Sequence, residues 1–253
     1  RLPGAWGYRR PIEAALFVLS GGKFDAREIG RSPDAADDPE GVDRTKLISV
    51  TCPTVERRHE LHPLLYECFR TQDYEPKELV VVDTGKHPSS FLVERAREDP
   101  RVRYYHFETG NSLDWHTTRA GWTLGLKRNI ACCLSRGAAI ANFDDDDLYA
   151  PNYLSYMWEQ LVKAAGGDRG GPLGPAVAKL SEWHVLNTLD LTFSRLDVRS
   201  DPSVPPGERE NWLYGWGFSY FFSRSAWETR PYPDVGFCED TGFIMGLREW
   251  KVP

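Results

Sequence analysis

The sequence predicts an α/β protein with a doubly wound, mostly parallel central sheet flanked by helices. Three observations carry this. Two runs, Leu79-Val80-Val81-Val82 and Ala138-Ala139-Ile140-Ala141, are continuously apolar instead of alternating, as strands covered on both faces are. Segments with helical spacing separate the strand-like runs. Finally, two of the predicted strands end in acid, at Asp83 and at Asp144-Asp145-Asp146-Asp147. In open sheets of this class, ligands sit beyond the carboxyl ends of the strands.

Taken in order, residues 1–45 read as an unassigned N-terminal extension. Pro11 to Leu19 suits a short helix, and the Asp- and Pro-rich stretch from Arg31 to Arg44 suits an exposed loop. Leu47 to Thr51 is a β-branched strand, broken at Cys52-Pro53-Thr54, and the next helix carries Leu61, Leu64, Leu65, Cys68 and Phe69 at helical spacing. Glu78 to Val82 is the second strand, Phe91 to Glu98 a helix and Val102 to Phe107 the third strand. A polar loop (108–120) leads to a helix from Leu124 to Ser135, with Gly137 just past its end. The fourth strand, 138–143, delivers the aspartates. Pro151 then opens a helix with Leu154, Met157, Trp158, Leu161 and Val162, closed by Gly166-Gly167. Beyond a Gly-rich loop (164–175), Lys179 to Phe193 alternates like a strand, and 197–210 is a polar loop with prolines. An aromatic stretch, Trp212 to Phe222, precedes the acidic pair Glu239-Asp240 at the start of a last helix.

With 253 residues, 41% hydrophobic, the chain can bury one large core. Its net charge of −6, with no long basic run, speaks against nucleic acid as a main partner. The five cysteines lack zinc-ligand spacing and favour a reducing, cytoplasmic setting. No run approaches the ~20 apolar residues of a membrane span. The chain begins without Met and ends on Trp250-Lys251-Val252-Pro253, as a piece of a longer protein would.

Four adjacent carboxylates repel one another. At an effective dielectric near 20, two charges about 5 Å apart cost roughly 3 kcal/mol. A divalent cation is the simplest counter-charge, and a solvated acidic turn is the alternative. No glycine-rich phosphate loop follows the first strand, which argues against a dinucleotide-binding or P-loop protein. The aspartates also lack the glycine of an EF-hand.

The ordered set Thr51, Pro53 and Arg57, then Val-Val-Asp-Thr-Gly (81–85), Lys-Arg-Asn (127–129), Phe-Asp-Asp-Asp-Asp-Leu-Tyr-Ala-Pro-Asn-Tyr-Leu (143–154) and Glu239-Asp240 resembles the family 2 glycosyltransferases of GT-A fold. The resemblance covers about 46–253, with 46–150 as a Rossmann-like nucleotide-sugar half and 151–253 as an acceptor half. It implies a nucleotide-diphosphate-sugar donor, most simply a UDP-sugar, a divalent metal (Mn2+ or Mg2+), and inverting transfer to a glycan, lipid or protein. Asp144 and Asp146 then hold the metal, with Asp146 the first ligand, and Asp145 or Asp147 contacts the ribose or sugar. Asp83 reads the base, although Thr84 stands where the family often has a second aspartate. Thr51, Pro53 and Arg57 wrap the nucleoside, and Arg128 contacts the nucleotide or diphosphate. Asp240, with Glu239 beside it, is the general base. Trp183 and the Trp212 to Phe222 stretch suit either stacking on a sugar or base, or the core. Two other readings are a nucleotidyltransferase of related fold and a catalytically silent binding module.

Overall fold

The computed structural model describes residues 42–108, 122–167 and 173–253. The expected helix at 11–19 and most of the loops at 31–44 and 108–120 lie outside these residues.

Six strands form one sheet: β1 (Ile48–Val55), β2 (Lys77–Gly85), β3 (Val102–Glu108), β4 (Ala139–Asn142), β5 (Val177–Ala178) and β8 (Phe221–Ser223). Their order is β3-β2-β1-β4-β8-β5. β1 to β4 are mutually parallel, whereas β8 runs antiparallel to both β4 and β5. The chain winds outward from β1 through β2 to β3 and then returns to β4 on the other side of β1. The direction of winding therefore switches between β1 and β4, and a crevice opens beyond their carboxyl ends.

Helices cover both faces, as the continuous apolar strands require. Leu79 and Val81 of β2 face one cluster, built with α1 (His62–Arg70), α2 (Ser90–Glu98) and α4 (Tyr153–Ala164). Val80 and Val82 face the other, built with α3 (Leu124–Leu134), α6 (Arg224–Thr229) and α7 (Glu239–Glu249). Ser89, Thr123 and Ser223 cap α2, α3 and α6 through their hydroxyls.

The structure differs from the expectation in three places. β1 does not stop at Thr51 but runs through Pro53 to Val55. Its ladder with β4 ends at Thr51 and Asn142, so Pro53, on that side, deprives no partner of an N–H. The alternating stretch from Lys179 is instead a separate hairpin, β6 (Glu182–Asn187) and β7 (Thr192–Asp197). The aromatic stretch divides into a short helix, α5 (Arg209–Tyr214), a 3-10 turn (Gly217–Ser219) and β8, whose Phe221 and Phe222 are wholly buried.

Among the described residues, no helix is long and apolar enough to cross a membrane. None of the five cysteines forms a disulfide. Cys52, Cys68 and Cys132 are buried, but Cys238 is exposed.

Candidate active site

The crevice is lined from the carboxyl ends of β1, β2 and β4. Asp83, near the end of β2 and opposite Thr54 of β1, is fully buried. Its Oδ2 accepts from the Tyr104 hydroxyl (2.5 Å) and faces His59 Nε2 (2.8 Å). Tyr104 reaches it because it pairs with Val81, two residues back on the same face of the sheet. Oδ1 of Asp83 is buried without a hydrogen-bond partner. An orphaned buried acceptor costs about 1–3 kcal/mol, a penalty that an incoming N–H donor would remove.

The four aspartates occupy a turn past the end of β4, and they are not equivalent. Asp145 is buried, and both its oxygens are taken. Thr54 Oγ1 donates to Oδ2 at 2.6 Å, and Arg58 donates to Oδ1 through Nε (2.6 Å) and Nη2 (2.5 Å). The same Arg58 Nη2 lies 2.7 Å from Asp146, whose side chain is 54% exposed. Asp144, partly exposed, pairs with Arg128 Nη2 at 3.3 Å. Asp147 is pushed up to about 7 by burial and by the charges of Asp144 and Asp146.

Behind Asp145, a buried relay fixes the turn. Burial pushes His62 down to about 4, so its ring is neutral. Thr54 donates its proton to Asp145 and so accepts from His62 Nε2 (3.1 Å). His62 Nδ1 then accepts from the Ser89 hydroxyl at 2.8 Å. Tyr149 locks the other side. It stacks on Phe143 with centroids 3.6 Å apart, its oxygen accepts from Asp144 N (2.9 Å), and its hydroxyl donates to Phe218 O (2.9 Å).

Arg128 of α3 bridges the aspartate turn to the start of α7. Its Nε donates to Glu239 at 3.0 Å, Nη2 meets Asp144, and Nη1 is buried without a partner. Beside Glu239, Asp240 is buried and accepts from Thr241 N at 2.7 Å. Desolvation, and next the Glu239 charge, raise its pKa from the ordinary carboxylate value. A Cβ at Gly217 would lie 2.8 Å from Asp240 Oδ2, so glycine there lets the backbone of the 217–219 turn rest against this carboxylate. Lys127, pushed down to about 8 by burial, donates to Thr54 O (2.9 Å) and Thr84 Oγ1 (3.3 Å), tying β1 to β2.

The structure thus brings Asp83, Asp144, Asp145, Asp146, Arg128, Glu239 and Asp240 to one crevice. Thr51 and Arg57 are placed elsewhere. Thr51 lies within the sheet, its hydroxyl 3.4 Å from Ala141 O and from Asn142 Oδ1, while Pro53 is half-buried in β1. Arg57 is exposed, and the guanidinium at the aspartates belongs to Arg58. The cause is the extension of β1. A 3-10 turn (Glu56–Leu61) starts only after Val55, and its phase sends Arg58 and His59 inward. Asn129 is structural, holding Trp227 and Tyr232. Sequence reasoning missed Thr54, Arg58, His59, His62 and Tyr104. The polar run Arg58-His59 with His62, directly after a strand end, was the available signal.

A doubly wound sheet with carboxylates gathered at its switch point defines the class, an α/β protein with an acid-lined ligand crevice. Residues 49–170 match the family model described as Glycosyl transferase family 2. The match takes in just under half of the chain, and the fold is GT-A. Over 124 residues the chain is 31% identical to the protein described as colanic acid biosynthesis glycosyl transferase WcaA of Escherichia coli (strain K12), covering 47% of this chain and 40% of that protein. The chain therefore spans less than half the length of this relative. Among solved structures, it is similar to glucosyl-3-phosphoglycerate synthase from Mycobacterium tuberculosis, with TM-score 0.51 and 14% identity. That match covers 87% of this chain and 68% of the other. S. aureus TarS 1-349 gives TM-score 0.50 and 16% identity over 79% and 54% of the two chains.

Proposed function

We propose that this chain transfers a sugar from a nucleoside-diphosphate sugar, a UDP-sugar first, to an acceptor hydroxyl with inversion at the anomeric carbon. Residues 46–150 bind the donor, and residues 151–253 shape the acceptor side. The observation that carries the reading is the unsatisfied Oδ1 of buried Asp83, in the same crevice as the aspartate turn and Asp240. The imide N–H of a uracil is the donor that oxygen lacks, while Tyr104 and His59 hold the other oxygen in place.

A divalent cation, Mn2+ or Mg2+, suits the aspartate turn. The four carboxylates of the turn outnumber the guanidiniums of Arg58 and Arg128 that meet them. Among the described residues, no group of three or more His, Cys, Asp or Glu side chains is arranged to hold a metal. Such cations are commonly held by one or two carboxylates, with substrate phosphates completing the shell. Exposed Asp146 and partly exposed Asp144 would be those two; Asp145 is committed to Arg58 and Thr54. When bound, the ion supplies charge neutralisation for the departing nucleoside diphosphate. The Mycobacterium tuberculosis enzyme is described as a complex with Mn2+, UDP and phosphoglyceric acid.

Asp240 takes the proton of the acceptor hydroxyl. That oxygen forms the new bond to the anomeric carbon as the bond to the diphosphate breaks, and the diphosphate leaves with the electron pair. The raised pKa of Asp240 lies closer to neutrality and makes it a stronger base. Glu239 raises it further by repulsion and keeps Arg128 in place. Isothermal titration with UDP, GDP and CDP, with and without Mn2+, tests the reading. UDP binding strengthened by Mn2+ is expected, and binding of no nucleotide would overturn it.

A further inference from the structure

We infer that the acceptor is a carbohydrate whose pyranose ring lies on the indole of Trp216 with one hydroxyl turned toward Asp240. This rests on the glycosyltransferase reading above and names its acceptor class.

Three of the nine tryptophans meet beside the base. Trp216 is flanked by Trp212 of α5 and Trp183 of β6, each with its ring centroid 6.5 Å away and tilted by 47° and 53°. Trp183 in turn meets the edge of Phe218 at 5.4 Å. This is not core: Trp216 is 49% exposed, whereas Tyr220, Phe221 and Phe222, a few residues on, are fully buried. The next residue, Gly217, is the one that rests against Asp240 Oδ2, so the exposed indole adjoins the proposed base along the chain.

The backbone that carries the indole is anchored. Lys179 Nζ donates to Trp216 O and to Ser219 Oγ (2.9 Å), and its ammonium sits over the rings of Tyr220 (4.8 Å), Phe218 (5.1 Å) and Trp183 (5.7 Å). A preorganised aromatic surface loses little on binding. Its polar neighbours decide between occupants. Trp212 Nε1 donates to Glu208, and the Asp240 carboxylate is adjacent along the chain. An acyl chain would take water from these groups and offer them no hydrogen bond. A pyranose offers an apolar C–H face to the ring and hydroxyls to the rim, which is the amphipathic match that tryptophan favours.

The test is saturation-transfer NMR on the full chain with neutral methyl glycosides and disaccharides at millimolar concentration, alongside the UDP titration. Transfer to sugar ring C–H protons is expected. Binding should weaken about tenfold in Trp216→Ala and be largely kept in Trp216→Phe. Absence of transfer to every glycoside, or equal binding by Trp216→Ala, would overturn the inference. So would Trp216-dependent binding to phosphatidylcholine vesicles, or a dimer that Trp216→Ala dissolves. If UDP binds and no glycoside does, the acceptor inference falls alone. If no nucleotide binds, the parent reading falls, whatever the glycosides do.

Discussion

Gly217→Ala probes the proposed base without touching a charged group. The added methyl would sit 2.8 Å from Asp240 Oδ2, 3.1 Å from its Cβ and 3.4 Å from Arg128 Nη2. Ordinary contact begins at 3.4 Å, so the carboxylate must retreat by about 0.6 Å, and misplacement on the order of 1 Å costs catalysis about 100-fold. Retreat is resisted because Oδ1 is tethered to Thr241 N at 2.7 Å and Arg128 is pinned between Glu239 and Asp144. Overpacking of this kind lowers stability by about 1–3 kcal/mol, readable as a lower Tm. Turnover, followed as UDP release from a UDP-sugar, is expected to fall about 100-fold, on the order of the positional penalty. UDP affinity should stay unchanged, because Asp83 lies on β2, apart from the 217–219 turn and the start of α7. A folded Gly217→Ala protein that turns over at the wild-type rate would refute the placement of Asp240 as base.

Two further predictions concern charge. Arg58→Ala strips buried Asp145 of its cation, leaving Thr54 as its remaining donor. It should cost about 2–3 kcal/mol in denaturant unfolding, below the 3–5 of a fully buried pair because Arg58 is 31% exposed, whereas Arg57→Ala should be silent. The raised Asp240 predicts that turnover falls as pH drops through its elevated folded value. The same shift makes its contribution to stability largest at low pH, fading as pH rises past the unfolded value and through the folded one. Asp240→Asn should therefore abolish turnover at every pH without lowering Tm at neutral pH, measured by calorimetry.

The parallel half of the sheet was legible because burial on both faces writes itself as unbroken runs such as Leu79 to Val82, with helical spacing between them. The acidic ends of β2 and β4 were legible for the same reason, since carboxylates stand out against apolar strands. The boundary of β1 was not. Pro53 reads as a break, and its compatibility with the strand depends on β4 ending beside it, which no local pattern records. For that reason Thr51 lies within the sheet and Arg57 at the surface, while Thr54 and Arg58 are the residues that reach Asp145. The aromatic stretch was ambiguous for a different reason. Trp216 and Phe222 differ in burial by their place relative to β4, a long-range partner. The buried relay from Ser89 through His62 and Thr54 to Asp145 likewise joins four segments and leaves no short motif.

Titration of Asp83→Asn against the wild-type chain with UDP and Mn2+ tests the central claim most directly. Asp83 is buried, with Tyr104 and His59 on one oxygen and the other without a partner. Replacing the carboxylate by an amide is expected to weaken UDP binding by about 10- to 100-fold, the effect of losing a charge-assisted bond of about 1.5–3 kcal/mol, while the fold and the response to Mn2+ persist. Equal affinity of the two proteins for UDP, or an affinity that ignores both Asp83 and Mn2+, would contradict a nucleotide-sugar site in this crevice.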